Sequence, residues 1–214
     1  MGSSTYDAQA ERLLDRNATT SERLEVATSV REGIEIVHTS EYVNFLKSCF
    51  PAFKEILTVY TKPSREDNEE NALRHVVYEI LNRLPFNEAL RPFETELLDL
   101  TLEPLREENE KNALLCLRIL FDLHRSFRPS MEQKALPFLK FVHDVYEGAA
   151  DTVEELLGGA GRKRGQKEKL PASCELPSTK SFKTMTECPL IVMLLYQLYN
   201  RNIQSEVAEM IPLM

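Results

Sequence analysis

The chain has no CxxC pair, no GxGxxG or GxxxxGK[ST] string, and only 7 glycines in 214 residues. Without those strings, the two common backbone cradles for nucleotide phosphates are excluded, because both need glycine at fixed offsets. Cys49, Cys116, Cys174 and Cys188 are too widely spaced for a zinc knuckle or a disulfide framework, which points to a reducing compartment. Long apolar runs are also lacking. The longest, Leu190 to Tyr196, falls far short of the roughly 20 residues that span a bilayer. No secretory h-region opens the sequence, and Met1-Gly2-Ser3-Ser4-Thr5-Tyr6 departs from a myristoylation site at Tyr6. Bases are outnumbered, 26 against 34 acids, and the net charge of −8 repels a phosphate backbone. The expectation is a soluble intracellular chain with no direct nucleic-acid partner, no membrane partner and no small-molecule substrate.

What is present is helical period nearly everywhere. Hydrophobic residues at 43% and charged residues at 28% are ordinary globular values. Thr19 with Glu22, Asp67 with Glu70, and Ser130 with Gln133 read as capping boxes, and Ser40, Asn87 and Asn109 as simple N-caps. These signals predict helices over 21–37, 40–60, 67–84, 87–106, 109–126, 130–147, 183–200 and 203–214, with a shorter one over 6–15. Most connections are short, so neighbouring helices form hairpins.

The hairpins repeat. Asn68-Glu69-Glu70-Asn71-Ala72-Leu73 returns 41 residues later as Asn109-Glu110-Lys111-Asn112-Ala113-Leu114. Pro51, Pro92 and Pro137, followed by Phe53, Phe93 and Phe138, mark the second helices at spacings of 41 and 45 residues. That period belongs to two-helix HEAT and armadillo repeats. A proline at a shared place in successive second helices predicts a shared bend, and the competing reading is an irregular helical bundle. The fold class is therefore all-α, a right-handed α-solenoid of about four HEAT-type hairpins. An N-terminal lead-in, 1–20, precedes three hairpins over 21–157; a basic linker with glycine and proline, 158–181, separates them from a fourth hairpin, 182–214. That fourth hairpin reads as truncated, because Pro212 is followed only by Leu213 and Met214, which predicts an exposed patch at Ile211, Leu213 and Met214.

No catalytic constellation emerges, and the chain reads as a non-enzyme without metal or cofactor. His143-Asp144 is the one suggestive dipeptide, since helical metal-dependent phosphohydrolases use such a pair. Its helix buries Phe138, Phe141, Val142 and Val145, which leaves Lys140, His143, Asp144 and Glu147 on a solvated face. Cys49 and Cys116 read as small buried hydrophobes. Glu79 with Arg83 and Asp122 with Arg125 are one turn apart, suited to ion pairs on equivalent helices. Arg162, Lys163, Arg164, Lys167 and Lys169 form a short basic cluster suited to nuclear import, to an acidic partner, or to solvation alone.

Longer strings carry a family resemblance. Glu79-Ile80-Leu81-Asn82-Arg83-Leu84-Pro85-Phe86-Asn87-Glu88-Ala89-Leu90-Arg91-Pro92, Cys116-Leu117-Arg118-Ile119 and Asp122-Leu123-His124-Arg125-Ser126-Phe127-Arg128-Pro129 resemble the N-terminal HEAT region of TRRAP-type proteins. Pro137-Phe138-Leu139-Lys140-Phe141-Val142, Pro189-Leu190-Ile191-Val192 and Tyr196-Gln197-Leu198-Tyr199 extend it. The resemblance implies a nuclear, non-catalytic scaffold piece of a pseudokinase-family coactivator subunit. Such subunits belong to SAGA-type histone acetyltransferase complexes, and their partners are complex subunits and transcriptional activators. The rival readings are a HEAT adaptor of another complex, such as a phosphatase or transport receptor, and the phosphohydrolase using His143 and Asp144. The linker composition predicts that Gly158 to Lys169 exchanges its amides rapidly and is the first segment cut in limited proteolysis, since it buries too little apolar surface to offset ordering. Protection of Arg162 to Lys169 against both is the contrary result.

Overall fold

A computed structural model describes residues 5–34, 41–157 and 172–213. Its helices in chain order are α1 (Thr5–Leu14), α2 (Thr20–Glu32), α3 (Tyr42–Glu55), α4 (Glu69–Asn82), α5 (Glu94–Leu102), α6 (Glu110–Ser126), α7 (Arg128–Met131), α8 (Ala135–Glu147), α9 (Ala149–Leu157) and α10 (Phe182–Met210). Among the described residues there is no β-strand, only one bridge, between Asn109 and Pro177. In one layer α2 packs on α4, α4 on α6, and α6 on α10. The other layer starts with α1 on α3, passes to α5 through Phe50 and Phe93, whose ring centres lie 4.8 Å apart, and reaches α8 through the Asp99–Lys134 ion pair at 2.6 Å. Helices α1, α5 and α8 pack respectively on α2, α6 and α10, so the core runs unbroken between the layers. The fold is an all-α solenoid.

Caps place the starts of the first-layer helices. Thr19 and Glu22 make the reciprocal box, with the Thr19 amide donating to Glu22 Oε2 at 2.7 Å and the Glu22 amide to Thr19 Oγ1 at 3.2 Å. Asn68 and Asn109 cap α4 and α6 through the amides of Asn71 and Asn112, so the repeated string does the same work twice. Three expected caps differ. Asn68 takes the role read for Asp67; Ser130 donates to the Phe127 carbonyl inside a helix that already began at Arg128; Asn87 holds the Ala89 amide in a turn before α5. Ser40 lies outside the described residues. The expected break near 200–203 is a kink instead: α10 continues, with Tyr199 at φ −131° and ψ 22°.

The prolines do not share a bend. Pro92 sits in the 3-10 turn Arg91–Phe93 ahead of α5, and Pro137 is the third residue of α8. There the missing amide is one that no helix bond needs. Of these three, only Pro51 lies deep inside its helix, as Pro189 does in α10, and α3 then widens into the π-helical segment Ile56–Tyr60. In that segment the Thr61 amide donates to Ile56 instead of Leu57, which leaves the Leu57 carbonyl free to accept from Arg74 Nη1 at 2.7 Å.

Arg74 is the centre of a buried polar seam between repeats. Its side chain and that of Glu108 are both 0% exposed and ion-paired, with Arg74 Nε donating to Glu108 Oε1 at 3.0 Å. Thr61 Oγ1 accepts from Arg74, while the Tyr78 hydroxyl and the Asn112 amide donate to Glu108 at 3.0 and 3.1 Å. Asn109 and Asn112 then reach back to Asn71 Oδ1 at 2.7 and 3.1 Å. Residues 172–181, read as part of the linker, are held on this seam. Ser178 donates its backbone amide to the Glu108 carbonyl at 2.9 Å, and Ser181 donates its hydroxyl to Glu110 at 2.7 Å while capping α10.

Removing one partner of a buried ion pair strands the other charge, at a cost of about 3–5 kcal/mol. Glu108→Ala is therefore expected to lower urea-unfolding stability by about that amount, against less than about 0.5 kcal/mol for the exposed Glu11→Ala. Arg74→Met combined with Glu108→Leu should recover part of the loss; equal stability of wild type and Glu108→Ala would remove the seam from the account.

Candidate functional site

The residues singled out for chemistry do not assemble into a catalytic centre. His143, Asp144 and Glu147 are the one group of metal-type donors brought together among the described residues, with ligand atoms within 4.8 Å of one another. Asp144 is ion-paired with Arg106 across the α5–α8 groove, so its carboxylate is already neutralised by a guanidinium that any cation would meet. His143 Nδ1 lies 3.7 Å from Glu147 and 3.9 Å from Asp144, on the solvated face the periodicity indicates. Burial pushes the Cys49 thiol up to about 12 and the Cys116 thiol well above its usual value, so neither is a ready nucleophile. Arg162, Lys163, Arg164, Lys167 and Lys169 lie outside the described residues.

Most of the ion pairs join different helices or segments. Glu79 does not pair with Arg83; it accepts from Arg31 at 2.6 Å, linking α2 to α4. Lys54 meets Glu96, Lys134 meets Asp99, and Lys183 meets Glu110, again between different helices. Asp122, its carboxyl raised by burial, feels Arg125 through charge alone.

Apolar side chains are also exposed. Along α10, Leu190, Met193 and Ile211 are 57%, 59% and 66% exposed, and Tyr196 lies between them. The kink folds the two halves of the helix around a cleft of about 490 Å³ lined by Pro189, Val192, Met193, Tyr196, Val207 and Ile211. Leu213 is exposed beside it, and Met214 lies outside the described residues. A second groove, of about 370 Å³, runs from Asn82 across Leu117, Arg118 and Phe121 to Leu190 and Ile191. Apolar patches of this kind have the chemistry of protein-docking surfaces.

Across 94% of its length the chain is 32% identical to the human transformation/transcription domain-associated protein. The chain belongs to the TRRAP-type family. It is also 34% identical over 66% of its length to the probable transcription-associated protein 1 of Dictyostelium discoideum. Over 95% it is 24% identical to a protein of Saccharomyces cerevisiae named as a SAGA complex/NuA4 acetyltransferase complex subunit. The alignments span 6%, 3% and 6% of those three relatives, so the chain matches only a small part of each. No family model matches it. By name these relatives are transcription-associated proteins, one of them a subunit of acetyltransferase complexes.

The α10 kink is held by a group that the sequence reading passed over. The Tyr199 hydroxyl donates to the Arg128 carbonyl at 3.1 Å and so accepts from His124 Nδ1 at 3.4 Å, which leaves Nε2 buried without a partner. His124 lies in an apolar helical stripe, and burial lowers its pKa to about 4. The unfolded chain then binds the proton more tightly than the folded one. The contribution is complete above about pH 6.5 and is lost as the pH falls towards 4, up to about 3 kcal/mol in all. Thermal stability should decline between pH 6.5 and 4.5, and His124→Gln should flatten that slope; an unchanged slope in the variant would clear His124 of the effect.

Proposed function

We propose that this chain is a non-catalytic scaffold segment of a histone acetyltransferase coactivator subunit of the SAGA type, acting in the nucleus in complex assembly and activator recruitment. Its partners on this reading are other complex subunits and transcriptional activators. The observation that carries the proposal is the combination of TRRAP-type sequence with a repeat fold that exposes an apolar cleft along α10. Chemistry of the phosphohydrolase kind finds less support, since Asp144 is committed to Arg106. The test is capture. The 214-residue chain, immobilised and exposed to nuclear extract, should retain acetyltransferase-complex subunits identifiable by mass spectrometry, and Met193→Asp with Ile211→Asp should reduce that retention several-fold. Retention no greater than on bare matrix defeats the proposal.

A further inference from the structure

Between the π-helical end of α3 and the start of α4 the residues 61–68 are non-helical, and six exposed residues in a row follow the half-buried Ser64. Four of the six, Glu66, Asp67, Glu69 and Glu70, are acids. The order Ser64-Arg65-Glu66-Asp67 has the spacing of a helix-capping box, yet α4 is capped by Asn68, so the fold does not use it that way. Ser64 Oγ accepts from the Glu66 amide at 3.1 Å in an exposed setting. Among the described residues, the other serine or threonine with acids at both the second and the third following position is Thr152, which is buried within α9.

A hydroxyl on non-helical backbone, followed by acids, is the substrate of a kinase whose peptide groove is basic, because kinases discriminate by the charge pattern around the acceptor. We propose that Ser64 is a phosphorylation site for an acid-directed serine kinase, and that the product loosens the seam between repeats. In the transfer, Ser64 Oγ bonds to the γ-phosphorus of ATP as the bond from that phosphorus to the β–γ bridging oxygen breaks; ADP leaves, and the hydroxyl proton passes to the catalytic carboxylate of the kinase. Lys62 and Arg65 are the bases beside the serine, outnumbered by the four acids. The link to the seam is geometric. The Ser64 carbonyl accepts from Asn109 Nδ2 at 3.1 Å and the Glu66 carbonyl from Asn71 Nδ2 at 2.9 Å, and the two asparagines bond each other at 2.7 Å. To enter an active site the segment must lift its carbonyls off these amides. The phosphate then adds a charge of about −2 next to Glu66 and Asp67, and like-charge repulsion opposes the return. This goes beyond the scaffold reading and does not depend on it.

The test uses the folded 214-residue chain, ATP and casein kinase II as the acid-directed enzyme, with phosphopeptides mapped by tandem mass spectrometry. Ser64 should be the main site, and Ser64→Ala should remove most of the incorporated phosphate. Glu66→Lys combined with Asp67→Lys should slow labelling at least about ten-fold. Asn109→Ser keeps a helix cap but loses the amide that holds the Ser64 carbonyl, so it should speed labelling about two-fold or more. Both altered acids are exposed, and circular dichroism checks that every variant stays helical. The phosphorylated chain should melt about 2–4 °C below the unmodified one, a difference that Ser64→Ala abolishes. Labelling elsewhere with Ser64 untouched overturns the site, as does an unchanged rate after the charge reversal. Unchanged melting on phosphorylation, or no gain in rate from Asn109→Ser, overturns the link to the seam.

Discussion

A charge buried without water must be answered on every side, and Arg74 imposes that demand on three elements at once. Its guanidinium needs the Leu57 carbonyl that the π-helical end of α3 leaves free, the hydroxyl of Thr61, and the carboxylate of Glu108. Glu108 in turn recruits Tyr78 and Asn112 through its side chain, and its backbone carbonyl holds Ser178 in place. Arg23 repeats the device one repeat earlier, donating to the carbonyls of Leu13, Asp15 and Ala18 while stacking on Tyr60 at 3.9 Å. In both cases a first-layer helix satisfies backbone oxygens around the end of the second-layer helix before it. Apolar packing alone tolerates sliding; a buried arginine with fixed acceptors sets the register of one hairpin on the next.

This accounts for what was legible in the primary sequence and what was not. The repeated asparagine strings announced their helix starts, because a cap is a local interaction between a side chain and an amide three residues on. Their second role, tying Asn71 to Asn109 and Asn112, depends on two distant segments meeting and leaves no local trace beyond the repetition. Arg74 was visible only as a charged residue inside the apolar set Leu73, Val76, Val77 and Ile80, and such an interruption is the signal that finds a buried ion. The prolines misled for a related reason: spacing shows that Pro51, Pro92 and Pro137 recur, but the cost of proline depends on its distance from the helix start, which only the backbone reveals. Residues 172–181 read as linker because their anchors are backbone groups and small hydroxyls, which carry no apolar pattern. His124 was hidden in the same way, as one polar residue in a core stripe whose partner lies 75 positions along the chain.

The surface follows a division of labour set by these constraints. Ion pairs such as Arg31–Glu79 and Lys134–Asp99 bridge successive helices in exposed or half-exposed settings, where each adds little to stability but disfavours misaligned neighbours. Beside those pairs, the outer side of α10 exposes Leu190, Met193, Tyr196 and Ile211.

The anchoring of residues 172–181 also sets how α10 meets the folded body. Lys180 is ion-paired with Glu155 on α9, and Ser178 and Ser181 are tied to the start of α6, so both ends of the intervening stretch are positioned by the folded body rather than by its own length. The register of α10 on α6 is therefore set by anchors within residues 172–181 themselves.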